Sequence, residues 1–232
     1  MDDINLEWPA LTQLRSLRDW PKWACQAYPR DTPQIGLFYT PALGFRYPRW
    51  SWVLRAIELL CTQGPVWQIF VVWMPAWTAL SYYVGSQSEW HPGSSLAGLL
   101  SWTWVEYAVH RWLFHNPWLF RHAREVVFAL HFVHHKQPHD LNRLTAPLAL
   151  SLPIGGAVAV ASGWWYAWDP GRTLSWLTGF VLGYIGYDLS HYWSHTGRPW
   201  LRAHWGHLGH HNACHRKFGF STGIWDWVFG SE

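Results

Sequence analysis

The sequence predicts an all-α fold, an integral membrane bundle of about four transmembrane helices with a helical cap on its cytoplasmic side. Four apolar stretches are each long enough to cross a bilayer as a helix. Half of the 232 residues are hydrophobic and only 13% are charged, whereas ordinary soluble domains carry about 25% charged residues. A third observation, the gathering of histidines at one end of these stretches, places the cap.

Four segments of about 20 residues are predicted to span the membrane. Glu106 lies near the end of the second segment, and the first carries no charge. The fourth contains Gly179 and Gly183, whose spacing puts two small residues on one helix face and permits close packing. The predicted spans are residues 65–84, 95–114, 148–168 and 173–193.

The distribution of positive charge predicts the orientation of the bundle. All but two of the 17 Lys and Arg lie before residue 65, between His115 and Pro147, or after Trp193. The exceptions are Arg111 at a helix end and Arg172 in a loop on the opposite side. Cytoplasmic loops carry the excess of Lys and Arg. Both chain termini and the clustered histidines are therefore expected on the cytoplasmic side.

Two parts of the chain are distinguished by composition. Residues 1–64 are predicted to form a cytoplasmic or interfacial segment, and residues 65–232 a single membrane-embedded domain. Residues 48–62 have the pattern of an amphipathic helix on the membrane surface, and a packing element over the bundle is the alternative. The net charge of +3 includes no long basic run, so nucleic acid is not an expected partner.

Ten of the 15 histidines fall into four short clusters. Histidines spaced i, i+3 and i+4 share one helix face, so three of the clusters can each aim two or three imidazoles at a common point. The first pair is five residues apart, about 140° on a regular helix. The helix is predicted to end or loosen there, because Asn116 precedes a proline. The clusters are His110 and His115; His131, His134 and His135; His191 and His195; and His207, His210 and His211.

These clusters predict a centre that holds two metal ions, because ten imidazoles are too many for one. Neutral imidazole is a common ligand of iron, copper, nickel and zinc and a poor one for magnesium or calcium. The three cysteines show no paired spacing, which predicts neither a disulfide framework nor a thiolate site. Two redox-active irons beside an apolar cavity would suit attack on an unactivated C–H bond, and the residues alone leave zinc open.

Six further residues are predicted to contact the histidines or a substrate. Glu106 lies four residues before His110, and Asp188 lies three before His191. Each could accept an imidazole N–H and hold the ring in one tautomer, and solvation of a helix end is the alternative. The remaining candidates follow the clusters along the chain: His139, Asp140, Arg143 and His215.

The clusters in this order resemble the fatty acid hydroxylase superfamily of membrane di-iron enzymes. Four stretches look like its fatty acid 2-hydroxylase branch, and the likeness runs from about Trp102 to Gly230. The element P-x-D-x-x-R-L, at residues 138–144, points to this branch. The stretches are H-R-W-L-F-H at 110–115, H-F-V-H-H-K-Q-P-H-D-L-N-R-L at 131–144, G-Y-D-L-S-H-Y-W-S-H at 186–195 and G-F-S-T-G-I-W-D-W-V-F-G at 219–230.

The resemblance implies a specific activity. The ten clustered histidines would bind two iron ions, with zinc as a substitute in a purified sample. The protein would be a monooxygenase that inserts one oxygen atom from dioxygen next to the carboxyl carbon of a long-chain acyl group, free or within ceramide or another sphingolipid. It would lie among membrane lipids, in the endoplasmic reticulum of a eukaryote or the inner membrane of a bacterium.

The resemblance also implies an electron donor. Many eukaryotic members carry an N-terminal b-type cytochrome domain, and no such domain is recognised before Trp102. A separate b-type cytochrome and its reductase are therefore the expected donors.

Two other functions remain open from the residues. The same metal centre serves sterol desaturases, sterol methyl oxidases and some carotenoid hydroxylases of the superfamily, so the reaction class is better defined than the substrate. A metal transporter or sensor is the more remote alternative. Transport requires polar ligands along a path through the membrane, and these histidines gather at one end.

Overall fold

The computed structural model describes residues 60–87, 90–123, 127–196 and 207–232, and all regular secondary structure in these ranges is helical. The predicted all-α class is thereby confirmed for this part of the chain. The predicted N-terminal segment lies outside the described residues, apart from its last five positions. In chain order the helices are α1 (Met74–Ser86), α2 (Pro92–Ala108), α3 (Pro117–His122), α4 (Val133–Lys136), α5 (Leu148–Trp165), α6 (Pro170–His195), α7 (His207–Asn212) and α8 (Ile224–Val228).

Three π-helical turns and one 3-10 turn extend these elements. One π turn, Ile69–Trp73, leads into α1, a second, Val109–Phe114, continues α2, and a third, Phe128–Phe132, leads into α4. The 3-10 turn is Leu141–Arg143. A π turn widens the helix by one residue and is frequent at functional sites.

The long helices α1, α2, α5 and α6 form at the four predicted spans. Among the described residues, one helical region, Leu141–Trp165, is both long enough and apolar enough to cross a membrane. Helix formation at the four positions is therefore observed. Membrane crossing by all four helices remains a prediction.

Close packing between α2 and α6 depends on glycine. A Cβ atom at Gly179 would overlap the carbonyl oxygen of Ser95, and one at Gly98 would overlap that of Trp176. A Cβ at Gly183 would lie 2.7 Å from the Cβ of Trp102. The predicted small-residue face of the fourth segment is thus confirmed as a helix contact.

The apolar core lies between α6 and the π turn before α1. It contains Ile69, Trp73, Tyr184 and Ile185, each at most 9% exposed. The Trp73 and Tyr184 rings meet edge to face with centroids 4.9 Å apart. This core holds α6 in place about two helical turns before His191, the first histidine that α6 contributes.

One cysteine departs from the sequence-based expectation. Cys214 is disulfide-bonded, whereas Cys61 is free. The expectation of no disulfide framework did not foresee this bond of Cys214, because spacing along the chain does not report how the fold places a cysteine.

Candidate metal centre

The structure brings all ten predicted histidines together at one end of the bundle. None of them is more than 9% exposed. Helix α2 with its π turn supplies two of them, the π turn before α4 and α4 itself supply three, α6 supplies two and α7 supplies three. Four separate stretches of backbone thus converge on one buried site.

Five histidines form a first group, in which one nitrogen of every ring lies within 4.8 Å of the others. The Nε2 atom of His131 lies at its centre, 3.1 Å from that of His110, 3.0 Å from that of His115 and 2.8 Å from that of His135. The Nε2 atoms of His210 and His115 are 3.1 Å apart. The first group therefore consists of His110, His115, His131, His135 and His210.

A second group of four obeys the same 4.8 Å limit: His134, His191, His195 and His207. The Nε2 atom of His191 lies 3.1 Å from that of His134 and 2.9 Å from that of His207. His211 adjoins this group, with its Nε2 atom 3.1 Å from that of His207. The rings of His211 and His135 have centroids 4.3 Å apart, so the two groups are neighbours.

Two of the predicted clusters divide between the groups. His131 and His135 belong to the first group, but His134 belongs to the second. His210 likewise joins the first group, whereas His207 joins the second. In each of these two clusters two imidazoles therefore meet at one point, as predicted, and the third joins the other group. Successive residues on a helix are about 100° apart, so neighbouring imidazoles can point to two adjacent centres.

Backbone carbonyl oxygens orient three of the rings. Nδ1 of His110 donates to the carbonyl oxygen of Phe218 at 2.6 Å, and Nδ1 of His191 donates to that of Leu144 at 2.7 Å. His210 makes the same contact with Arg216 at 2.7 Å. A carbonyl oxygen only accepts, so the proton lies on Nδ1 and the Nε2 lone pair faces the group. Sequence reasoning missed these carbonyls, because any residue can supply one.

Glu106 and Asp188 do not accept the imidazole protons assigned to them by spacing. The carboxylate of Glu106 accepts the backbone N–H groups of Phe220 and Ser221 at 2.6 and 2.8 Å and the hydroxyl of Ser221. The proton on Nδ1 of His191 goes to Leu144 instead of Asp188. Both expectations of an imidazole contact are wrong, because a backbone carbonyl from a distant segment accepts each Nδ1 proton instead.

The remaining candidates lie in two different environments. Arg143 is buried, donates from Nε to Asp140 Oδ2 at 3.0 Å and donates from Nη1 to the hydroxyl of Thr62 at 3.2 Å. His139 and His215 are exposed. The structure therefore places the Asp140–Arg143 pair inside the protein near the histidines, and places the other two at the surface.

Burial keeps the histidines neutral. It lowers the pKa of His115, His131 and His135 well below the ordinary value, and the surrounding imidazoles lower it further. The same causes lower the pKa of His134 and His207. At neutral pH these rings therefore carry free lone pairs, which is the form that binds a metal ion.

The donor set fits one transition-metal ion in each group. Nitrogen ligands about 2.0–2.1 Å from an ion lie about 3 Å from each other, and the closest Nε2 pairs within the groups are 2.8–3.1 Å apart. One N–H on Nε2 of His131 could serve only one of its three close nitrogen neighbours, so a cation among these lone pairs accounts for the arrangement better than hydrogen bonding alone. The two histidine groups can therefore hold metal ions side by side.

An elongated cavity of about 640 Å³ adjoins the histidines. Two histidines of each group line it: His110 and His131 of the first, and His134 and His191 of the second. Along α6 the cavity extends from His191 to Leu177, about 21 Å at 1.5 Å per residue. Its wall is mostly apolar, and the buried polar side chains of Glu106, Arg143 and Asp188 also line it.

The fold and the site define a class, that of helical proteins in which two adjoining buried histidine groups face one elongated apolar cavity. The family model for fatty acid hydroxylases matches residues 95–231. The chain belongs to the fatty acid hydroxylase family.

Individual relatives agree with this assignment. The chain is 28% identical to a dihydroceramide fatty acyl 2-hydroxylase of Arabidopsis thaliana, over 89% of this chain and 94% of that protein. It is 34% identical to the fatty acid 2-hydroxylase of Homo sapiens, over 64% of this chain but only 41% of that protein.

A solved structure shows the same fold. The visible hydroxylase domain of full-length Scs7p superimposes with a TM-score of 0.60 and 29% identity, covering 75% of this chain and 69% of that chain.

Proposed function

We propose that this protein is a membrane monooxygenase that hydroxylates a long-chain fatty acyl group at the carbon next to the carboxyl carbon, either free or amide-linked in ceramide. One observation carries the proposal: histidines of both groups line the same apolar cavity. An acyl chain in that cavity would present its C–H bonds to both histidine groups at once. The names of the relatives from Arabidopsis thaliana and Homo sapiens support the 2-position.

We assign the ten histidines as ligands of two iron ions, with zinc as a substitute in a purified sample. Bound iron supplies the activation of dioxygen for attack on an unactivated C–H bond. The Phe218 and Leu144 carbonyls hold His110 and His191 with Nε2 towards the ions. Such outer contacts fix ring orientation and raise the basicity of the ligand.

The cavity wall would position the acyl chain and exclude water from the reacting centre. Side chains such as Val105, Leu150 and Leu177 line it and are expected to align the acyl chain along α6. Holding the reacting carbon close to the metal ions converts a random encounter into an oriented one. The apolar wall also keeps water from the reacting centre. Arg143 and Asp188 are candidates for contact with the polar end of the lipid.

The membrane assignment belongs to this proposal. Large apolar side chains are exposed on the long helices outside the cavity lining, including Leu96 and Leu100 of α2 and Val160 of α5, each more than half exposed. Four exposed tryptophans, Trp90, Trp164, Trp165 and Trp168, lie in or beside the loops at the end away from the histidines. Tryptophan favours the membrane–water interface.

We place all four long helices across the bilayer and the histidines on the cytoplasmic side. The membrane would be the endoplasmic reticulum in a eukaryote or the inner membrane in a bacterium. Electrons would come from a separate b-type cytochrome and its reductase.

The proposal is tested with purified protein. Elemental analysis should find two metal ions per chain, and iron-loaded protein given electrons, dioxygen and ceramide should produce a lipid heavier by one oxygen atom. Fragmentation in the mass spectrometer should place the hydroxyl at the 2-position. Free fatty acids, sterols and carotenoids complete the substrate panel. No oxygen gain with any acyl lipid would contradict the proposal, and oxidation of a sterol or carotenoid alone would reassign the substrate.

A further inference from the structure

The loop formed by residues 218–221 lies against both histidine groups. The ring centroid of Phe218 is 5.7 Å from that of His110 in the first group, and that of Phe220 is 5.0 Å from that of His207 in the second. Both phenyl rings are at most 3% exposed, and neither lines the cavity. The loop therefore covers the histidines on a side other than the one that faces the cavity.

Two buried carboxylates hold this loop through four consecutive backbone N–H groups. Asp226 of α8 accepts the N–H of Phe218 at Oδ1 and that of Gly219 at Oδ2, each at 2.8 Å. Glu106 of α2 accepts the next two N–H groups at Oε1. A buried carboxylate is costly to desolvate unless it accepts hydrogen bonds. The four N–H groups provide these hydrogen bonds, and in return the two carboxylates fix the backbone of residues 218–221.

The first of these residues holds a site histidine. The carbonyl oxygen of Phe218 accepts the Nδ1 proton of His110 at 2.6 Å, and the backbone N–H of Phe218 donates to Asp226. Any shift of the loop would move that carbonyl and release the ring of His110. Among the described residues, the ring of His110 forms hydrogen bonds with the Phe218 carbonyl and with His131, and with neither carboxylate. Both carboxylates therefore act on His110 through the loop.

We infer that Glu106 and Asp226 are positioning residues that set the metal affinity of the first histidine group through the Phe218 carbonyl. This inference depends on the proposed metal centre. Loss of an outer contact of this kind costs about 10- to 100-fold in metal affinity. The hydrogen bond between the Phe218 carbonyl and His110 joins the loop to the first group, whereas Phe220 touches the second group through ring packing alone, so the larger effect is expected at the first group.

The test compares Asp226→Asn and Glu106→Gln with wild type, using Co²⁺ as the probe. The Asp226 carboxylate accepts hydrogen bonds from the N–H groups of Phe218 and Gly219 and from the hydroxyl of Ser231. In Asp226→Asn one carboxylate oxygen becomes an NH2 group, which cannot accept, so at least one of these hydrogen bonds is lost. Competition with a chelator, followed by visible absorbance, gives one affinity for each Co²⁺. We expect one of the two to weaken by about 10- to 100-fold.

The matched control is Asp169→Asn. Asp169 is exposed and accepts the N–H of Arg172 at the opposite end of α6, so the same chemical change is made far from the histidines. Both Co²⁺ affinities should be unchanged. The melting temperature of the metal-free protein is measured for every variant. If Glu106 and Asp226 only stabilise the fold, their substitution should lower the melting temperature and weaken the binding of both Co²⁺ ions together.

The outcomes distinguish the proposed metal centre from the role of Glu106 and Asp226. Failure of wild type to bind two ions would remove the proposed metal centre itself. Two outcomes would overturn only the role of Glu106 and Asp226, provided that wild type binds two ions. In one, the variants bind both ions as tightly as wild type does, and in the other, their affinities for both ions fall by the same factor. If Glu106→Gln does not fold, Asp226→Asn tests the same role from the other side of the loop.

Discussion

The backbone N–H of His115 donates to the carbonyl oxygen of His110 at 3.1 Å, a hydrogen bond that spans five residues instead of four. This bond belongs to the π turn Val109–Phe114. On a regular helix the two imidazoles would diverge by about 140°. The wider turn brings both to His131, at 3.1 and 3.0 Å between Nε2 atoms. The predicted loosening of the helix is confirmed, and it places two ligands in one group.

Replacing a histidine of either group should remove metal and activity. We expect His210→Ala, in the first group, and His134→Ala, in the second, to lower hydroxylation by at least about 100-fold, because each removes a ligand. Metal per chain should fall in parallel by elemental analysis. His122→Ala is the control, since His122 is exposed and contacts the Trp118 carbonyl. Full metal content in His134→Ala would argue against its assignment as a ligand.

A larger side chain at Gly179 should separate α2 from α6. Gly179→Leu places a Cβ where the Ser95 carbonyl lies, and such overpacking costs about 1–3 kcal/mol or more. The measurement is thermal unfolding in detergent. Gly186→Leu is the matched control on the same helix, because a Cβ at Gly186 has no neighbour within 4 Å. Equal stability of the two variants would contradict the close helix contact.

Filling the far part of the cavity should shorten the preferred acyl chain. Ala159 lines the cavity on α5, eleven residues beyond Leu148 and so about 16 Å along the helix. In Ala159→Phe we expect product to shift to shorter chains with metal content unchanged, as measured by mass spectrometry of mixed-length substrates. Ala161→Phe, at an exposed position on the same helix, should leave the distribution as in wild type. An identical shift in both variants would refute the prediction that the acyl tail reaches the part of the cavity beside Ala159.

The buried pair of Asp140 and Arg143 should be needed for stability. Asp140→Asn removes the charge that Arg143 contacts at 3.0 Å, and breaking such a pair costs about 3 kcal/mol. The free energy of unfolding of the double variant Asp140→Asn/Arg143→Gln should fall by less than the sum of the single losses. Strict additivity in denaturant unfolding would show that the two side chains act independently.

The sequence predicted the residues of the site better than their contacts. The ten histidines, their gathering at one end of the bundle and the packing face of Gly179 follow from periodicity and charge, which are local properties. Glu106 was singled out for the wrong partner, since the distance from Glu106 to His110 along the helix said nothing of the loop at Phe220. Asp226 was missed as a contact, although it lies in the stretch at 219–230 that resembles the family.

The amino-acid order alone determined where helices form, which ends carry imidazoles and how many metal ions these imidazoles could serve, because helix periodicity acts over a few residues. Only the tertiary structure decided how the ten rings divide into two groups, which carbonyl oxygens orient them and which four face the cavity. These features depend on the rotation of each helix and on the path of backbone far away in the chain. Residue types at fixed spacings do not encode that geometry locally.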